Sequence, residues 1–424
     1  MRAVVSLARP VGGYAPRVIA IVGSGAAGLS AAIFAARRGA AGPVVLLDGA
    51  ERPGAKILVS GGSRCNVTNA VVTERDFRGA PPHLVKRVLR AFGVAETVAF
   101  FREIGVPLHE EEHGKLFPDA NRSRVVLEAL LAEVERRGVT LRAGERVREV
   151  VPGDGGFVVR TTRGELAATR VVLATGGLSL PKTGSDGHGL RMAEALGHSV
   201  VPTTPALAPL VLSGGFHRPL SGVAQEAELT VRAGGRVVDR RSGSLLWTHF
   251  GVSGPVVLDV SRSWLRARLI GQDPVLEASL VPGREFGAVE GSLVRLAAES
   301  PRLSVPRALA RFVPQAVAEA VAGELSLADV PLGQLRRDAR RRLVHGLVAR
   351  PLPVVDSRGY GFAEATAGGV PLSEVDTRTM ESRRAPGLFL VGEMLDVDGR
   401  IGGFNFQWAW SSAWVAAGGL VRGL

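Results

Sequence analysis

The spacing of apolar and polar positions changes several times along the chain, and each change marks an element. Residues 18–22 (VIAIV) form a short apolar run without polar alternation, the pattern of a strand buried on both faces. A run of small residues follows, reading as a closely packed helix, and residues 44–47 (VVLL) repeat the buried-strand pattern. Residues 81–104 and 123–137 carry apolar positions at helical spacing, with Asn121 or Ser123 expected to cap the latter. Residues 139–175 alternate with period two and end in another buried run at 170–174, so a small antiparallel excursion returns to the parallel sheet. From Pro202 the pattern changes. QEAELTVRAGGRVVDR reads as a hairpin with Ala227, Leu229 and Val231 on one face and Gly234 and Gly235 at the turn. Strand character is expected through SLLWTHFGVSGPVVLDVS and PVLEASLVPG, then helical periodicity over residues 305–348. The C-terminal stretch resumes with GLFLVGE as a buried strand and NFQWAWSSAWVAAGG as a final helix.

This order predicts an α/β chain: a Rossmann-like domain, with a parallel sheet and helices on both faces, interrupted by an inserted domain that is first β-rich and then helical. The expected boundaries are an N-terminal extension over residues 1–16, a first part of the Rossmann-like domain over 17–200, the insertion over 201–345 and a second part over 346–424.

Candidate chemistry concentrates at the first strand. Gly23, Gly25 and Gly28 fill the G-x-G-x-x-G spacing where that strand must turn into a helix. The first glycine permits the turn, the second lets backbone approach a pyrophosphate at the positive helix N-terminus, and the third lets helix and strand pack closely. Asp48 ends the second strand 20 positions after Gly28 (48 − 28), placed to accept hydrogen bonds from both ribose hydroxyls. An acid there disfavours a 2′-phosphate. Residues 18–36 carry no charge and also resemble a membrane helix or a late signal sequence. Three glycines within six residues, and the acid-bearing second strand, argue against that reading.

Composition narrows the partners. The net charge is +12, but only four of the 52 basic residues are lysine, leaving 48 arginines scattered along helices. The densest cluster, residues 336–342, reads as a solvated helix face, so a nucleic-acid partner is not expected and a small-molecule substrate is. The single cysteine excludes internal disulfides and a C-x-x-C pair and suits a reducing cytoplasm. No membrane association is expected, the oligomeric state stays open, and no metal site is expected, Asp396 and Asp398 being the pair nearest to metal-ligand spacing.

Several glycine-rich strand ends are more than a nicotinamide cofactor needs, so non-covalent FAD is the expected cofactor. Ligands of parallel sheets lie outside the carboxyl ends of the strands, which aligns Thr175, Gly176, Gly177 and Glu393 with Gly23–Gly28. Gly402 and Gly403 precede a final helix beginning near Asn405, whose N-terminus offsets the negative charge of a reduced flavin. Trp408, Trp410 and Trp414 on that helix read as packing. Arg64 beside Cys65 would favour a thiolate, yet without a second cysteine a dithiol relay is excluded and a packed thiol is expected. His249 in the insertion is an acid/base candidate, weighed against a structural histidine, and Asn405 is a second catalytic candidate. No second strand, glycine turn and helix is found. Reduction is therefore expected from an organic substrate, or from NAD(P)H as a transient donor binding no tighter than about 0.1–1 mM.

Three stretches, SGGSRCNVTN (60–69), VVLATGGLSLPKTGSDGHG (171–189) and GLFLVGEMLDVDGRIGGFNFQWAWSSAW (387–414), together resemble the FAD-containing oxidoreductases of the aminoacetone oxidase and BaiN-type bile-acid reductase family. The resemblance implies a glutathione-reductase-like FAD domain built from both chain ends, with an inserted substrate domain. It extends the cofactor-binding set to Ala26, Ala27, Lys56, Ser60, Gly61, Gly62, Arg64, Cys65, Asn66, Gly392 and Phe404. The implied function is an FAD-dependent oxidoreductase passing hydride between the flavin and a small organic substrate. A flavin-dependent tRNA-modifying enzyme is the alternative, disfavoured because the chain ends just after the flavin helix without an RNA-binding extension. A non-catalytic flavin sensor is the other.

Overall fold

The structure, a computed structural model, describes residues 17–422, and the expected extension over residues 1–16 lies outside them. The chain divides into two compact units. One holds residues up to Gly177, Lys182–Val201 and the chain from Gly368 on, and the other holds Leu178–Pro181 and Pro202–Ala367.

The first unit is built on five parallel strands in the order Leu388–Leu390, Arg170–Leu173, Ile19–Val22, Val44–Leu47 and Thr140–Arg142. Two short antiparallel strands, Val375–Asp376 and Glu381–Ser382, extend the sheet at the Leu388–Leu390 edge. The central strands IAIV and VVLL are buried throughout, as continuous apolar runs must be when both faces are covered. The helix Ala26–Arg37 packs along the helix Phe404–Val421, with Phe34 edge-on to Trp414 at 5.1 Å. Trp408 and Trp410 are buried packing residues. The Trp408 indole donates to Gly392 O at 3.1 Å and the Trp410 indole to Val67 O at 2.9 Å. The antiparallel excursion is a three-stranded sheet, Val147–Gly153, Gly156–Thr161 and Gly164–Ala168.

Two local features bear on the segments that follow. The glycine-rich stretch after Asp48 contains a helix, Ala55–Ser63, broken at Ser60–Gly62. The helix Ser123–Arg136 has no side-chain cap, because Ser123 Oγ donates instead to Leu58 O at 2.8 Å.

The second unit is a seven-stranded antiparallel sheet in the order Arg350–Leu352, Val275–Ser279, Ala224–Ala233, Arg236–Thr248, Gly251–Ser253, Leu210–Leu212 and Val354–Ser357. Its core joins Leu229, Val231, Trp247 and Leu276 to Val260, Trp264, Leu293 and Leu343 of the helices. The segment PVVLDVS, read as strand, opens the helix Pro255–Leu269. Its apolar residues Val256, Val257, Val260, Trp264 and Leu265 are buried at helical spacing, and Pro255 sits in the first turn, where a missing N–H costs nothing. The unit continues to Ala367 rather than residue 345, because Arg350–Leu352 and Val354–Ser357 are edge strands of this sheet.

Buried acids tie helices and loops of the first unit together. Glu133 is fully buried and takes Arg37 Nε at 2.8 Å, Arg137 Nε at 2.7 Å and Arg136. Burial alone would raise its carboxyl, and the hydrogen bonds from Arg137 and Arg37 outweigh it and leave it below the ordinary value. Buried His198 lies 2.8 Å from both Glu374 Oε2 and Ser382 Oγ, and Ser382 Oγ also accepts the amides of Arg384 and Ala385 at 2.9 Å. Those amides leave the hydroxyl to donate to His198, so this Ser–His–Glu row fastens a turn. The Glu374 carboxyl is likewise lowered, its burial outweighed by hydrogen bonds from Ser199 and His198. Asp376 is held at about 2, chiefly by the Arg378 guanidinium.

All three carboxyls have folded values below their unfolded ones. Their stabilisation is therefore full above the unfolded values of 4.5 for Glu and 3.8 for Asp, and is lost as pH falls through the lowered folded values. Glu133→Gln should lower stability by about 2–3 kcal/mol at pH 6, below the full penalty of a buried pair because Arg136 and Arg137 are partly exposed. In thermal melts from pH 6 to 3 the gap to wild type should close as pH falls. A gap independent of pH would show that the charge of Glu133 is not what matters.

Candidate cofactor site

The strand Ile19–Val22 enters a turn that only glycine fits. Gly23 has φ +100° and donates its amide to Leu47 O at 2.8 Å, and a Cβ there would lie 2.7 Å from Ala174 O. At Gly28 a Cβ would stand 1.8 Å from Gly23 O, so helix and turn touch backbone to backbone. Gly25 differs: a Cβ there meets nothing within 4 Å. It is the N-cap of Ala26–Arg37, and no side chain caps that end. Open space over the uncapped amides of a helix N-terminus is what a pyrophosphate requires.

Asp48 stands beside this turn. Its Oδ2 accepts the Ser24 amide at 2.7 Å and the Ser24 hydroxyl at 2.5 Å, and its Oδ1 accepts the Ala50 amide at 2.7 Å. A carboxylate oxygen offers more than one acceptor direction, so this clamp fixes the acid and leaves capacity for ribose hydroxyls. Ser24, fully buried, is the residue that pattern reading missed. The only sequence signal for it is a hydroxyl between two fingerprint glycines.

Other glycines of the predicted set make comparable close approaches. Gly392, at φ +70°, lies so close to Ala27 that a Cβ would come within 2.8 Å of the Ala27 methyl. Gly403 caps the helix Phe404–Val421 at φ +94°, and a Cβ there would be 2.5 Å from the Thr68 backbone. Thr175 Oγ1 and Asn66 Oδ1 are buried without a hydrogen-bond partner in the protein. FAD, with its ribityl and ribose hydroxyls and ring N–H, is rich in the donors such oxygens lack, so the residues fit the cofactor. Gly176 follows Thr175 at φ +73°, with Gly177 next.

Several predicted side chains prove to be engaged within the protein. Lys56 Nζ and Glu393 Oε2 form an ion pair at 2.5 Å. Ser60 Oγ donates to Ile57 O at 2.7 Å, and the run that follows has positive φ at Gly61, Gly62, Ser63 and Cys65, a conformation strained at the two non-glycine residues. Arg64 does not act on Cys65. It reaches Glu111 at 2.7 Å and lies over the Phe117 ring at 4.1 Å, while burial pushes the Cys65 thiol up to about 12 against a weaker opposing hydrogen bond from Ser60. Burial favours the neutral thiol, which suits the packed role expected of it. Asn405 uses both ends of its amide on Gly399, accepting its N–H at 2.8 Å and donating to its carbonyl at 3.0 Å, which locks the loop before the final helix. His249 belongs to the second unit, where it is exposed in the turn after Arg236–Thr248 and edge-on to Phe250 at 5.1 Å. Asp396 Oδ1 accepts the Gly368 amide at 3.1 Å, and no group of three or more potential metal ligands exists among the described residues.

A parallel sheet with a glycine turn, an uncapped helix and a clamped acid at the end of the next strand is the arrangement of a dinucleotide-binding domain. Residues 17–419 match the HI0933-like protein Rossmann domain, and the chain belongs to that family of FAD-binding oxidoreductases. It is 35% identical over 408 residues to the ribosomal RNA dihydrouridine synthase of Escherichia coli (strain K12), covering 95% of this chain and 97% of that protein. It is 32% identical over 400 residues to the 3-dehydro-bile acid delta(4,6)-reductase of Clostridium scindens, covering 94% and 97%. Among solved structures, E. coli quinol fumarate reductase FrdA aligns with a TM-score of 0.52 at 16% identity, over 96% of this chain and 70% of that one, a likeness of fold alone. The chain is an FAD-dependent enzyme. No described helix is long and apolar enough to cross a membrane.

Gly25→Val and Gly28→Val should fail differently. The first places its side chain in open space, so the apoprotein should melt within about 1 kcal/mol of wild type while retaining no FAD. The second collides with Gly23 O and should not accumulate as folded protein. Flavin absorbance and thermal melting of both variants test this, and a Gly25→Val protein that keeps its flavin would move the pyrophosphate elsewhere.

Proposed function

We propose that this enzyme is a reductase that adds hydride to a carbon–carbon double bond conjugated to a carbonyl group. The observation that carries this reading is chemical. A dihydrouridine synthase and a bile-acid Δ4,6-reductase, each related to this chain over at least 94% of its length, both bear names denoting reduction of such a bond. The reactions share one polarity: hydride arrives at the carbon β to the carbonyl and a proton at the α carbon.

Bound FAD supplies the hydride chemistry, and the protein supplies position and charge. In this reading Gly25 and the free end of Ala26–Arg37 hold the pyrophosphate, Asp48 orients the ribose, and Thr175 and Asn66 give their unpaired oxygens to cofactor donors. The N-terminus of Phe404–Val421, opened by Gly402 and Gly403, offsets negative charge on the reduced ring. The Lys56–Glu393 pair fixes two charged side chains of the same unit. Lacking a second glycine fingerprint, the enzyme takes electrons from NAD(P)H in transient encounters.

Uracil within RNA is the favoured substrate. Two relatives carry the dihydrouridine synthase name, the second being that of Haemophilus influenzae at 32% identity. A small conjugated ketone, within the class of small organic substrates expected from sequence, is the second reading, supported by the Clostridium relative.

The test is anaerobic. The FAD-loaded enzyme is reduced with NADPH or dithionite and mixed with unmodified ribosomal RNA or with a 3-oxo-Δ4 steroid, and flavin absorbance is followed. Reoxidation by RNA with formation of dihydrouridine supports the first substrate, and reoxidation by the steroid alone supports the second. Reoxidation by neither compound would overturn the reading.

A further inference from the structure

Three consecutive residues, Val67, Thr68 and Asn69, join the final helix and its entry to the segment that follows the run 61–65. Val67 O accepts the Trp410 indole at 2.9 Å, Thr68 Oγ1 donates to Gln407 Oε1 at 2.6 Å, and Asn69 Nδ2 donates to Gly402 O at 3.1 Å. Gln407 is the polar centre of this seam. Its side chain is buried, and its backbone amide closes the first turn of Phe404–Val421 on Gly403 O at 3.0 Å. Every bonding direction of the side-chain amide is taken. Oε1 also faces Thr97 Oγ1 at 3.0 Å, and Nε2 donates to Phe92 O and to Ser411 Oγ, each at 3.0 Å. Thr68, Thr97 and Ser411 are fully buried as well. A buried polar network with every member paired is rigid and specifies one arrangement of the elements that share it. An apolar side chain of the same length would fill the space without fixing the register of helix and strand.

We propose that Gln407 is a positioning residue: its amide sets the height of the first turn of the final helix against Thr68, and thereby how strongly the helix N-terminus favours reduced over oxidised FAD. The inference rests on the reading in which this N-terminus faces the flavin ring. The field of a helix end falls off within one turn, so a small slide of the helix changes the flavin potential.

The test measures reduction potentials spectroscopically on FAD-loaded protein. Gln407→Met keeps the bulk of the side chain and removes its four hydrogen bonds. Relative to the oxidised form, its reduced flavin should be bound about three- to tenfold less tightly, which lowers the potential of the two-electron couple by about 15–30 mV. Thr68→Val removes one hydroxyl from the same seam and should shift the potential in the same direction. It serves as the second variant if Gln407→Met does not fold. Leu420→Ala, fully buried at the far end of the helix, should lower the melting temperature and leave the potential at the wild-type value. Asn405→Asp places a negative charge in the first turn and should lower the potential whatever Gln407 does. A shift in Asn405→Asp alone, with wild-type potentials in Gln407→Met and Thr68→Val, would overturn the positioning role and leave the reading of the helix N-terminus standing. Wild-type potentials in all three would overturn both. A shift in Leu420→Ala as large as that in Gln407→Met would trace the effect to stability and overturn the proposal.

Discussion

Everything in the first unit depends on one close approach. The helix Ala26–Arg37 sits against the turn at Gly23 so tightly that a Cβ on Gly28 would come within 1.8 Å of Gly23 O, and a Cβ on Gly23 within 2.7 Å of Ala174 O. Turn, helix and neighbouring strand therefore share a space that no side chain can enter. Removing side chains there aims the first amides of the helix outward over Gly25, where space is open. In that setting Asp48 is held beside the turn through Ser24. The acid is fixed by the turn it serves.

The same device recurs where the end of the chain returns to its beginning. Gly392 permits contact with Ala27, and Gly403 permits contact with the Thr68 backbone. The indoles of Trp408 and Trp410 then bind carbonyls of Gly392 and Val67, joining the final helix to both neighbourhoods. A cofactor with several distant polar groups needs its contacts from segments remote in sequence. Glycines that allow backbone contact, and tryptophans that fasten the helix behind them, bring those segments together without placing bulk where the ligand must lie.

Much of this was legible in the sequence, for physical reasons. Buried parallel strands are written as uninterrupted apolar runs, and the glycine spacing is fixed by geometry that no other residue satisfies. The tryptophans read as packing because three large aromatics on one helix must be buried. Less legible was anything set by a distant partner. Arg64 turned from its neighbour Cys65 to Glu111 and Phe117, which lie in another part of the chain. Asn405 spends its amide on the Gly399 backbone, and Ser123 bonds Leu58 instead of capping its own helix. The valine-rich PVVLDVS resembled a strand by composition, yet tertiary packing made it a helix whose buried residues follow the period of 3.6.

The central claim, that the two ends of the chain build one non-covalent FAD site, is tested most directly by identifying the flavin released on denaturing the purified, FAD-reconstituted protein. Chromatography of the supernatant should show FAD, close to one equivalent per chain, with none left on the precipitated polypeptide. FMN, a flavin that stays with the denatured chain, or failure to retain any flavin would contradict the account.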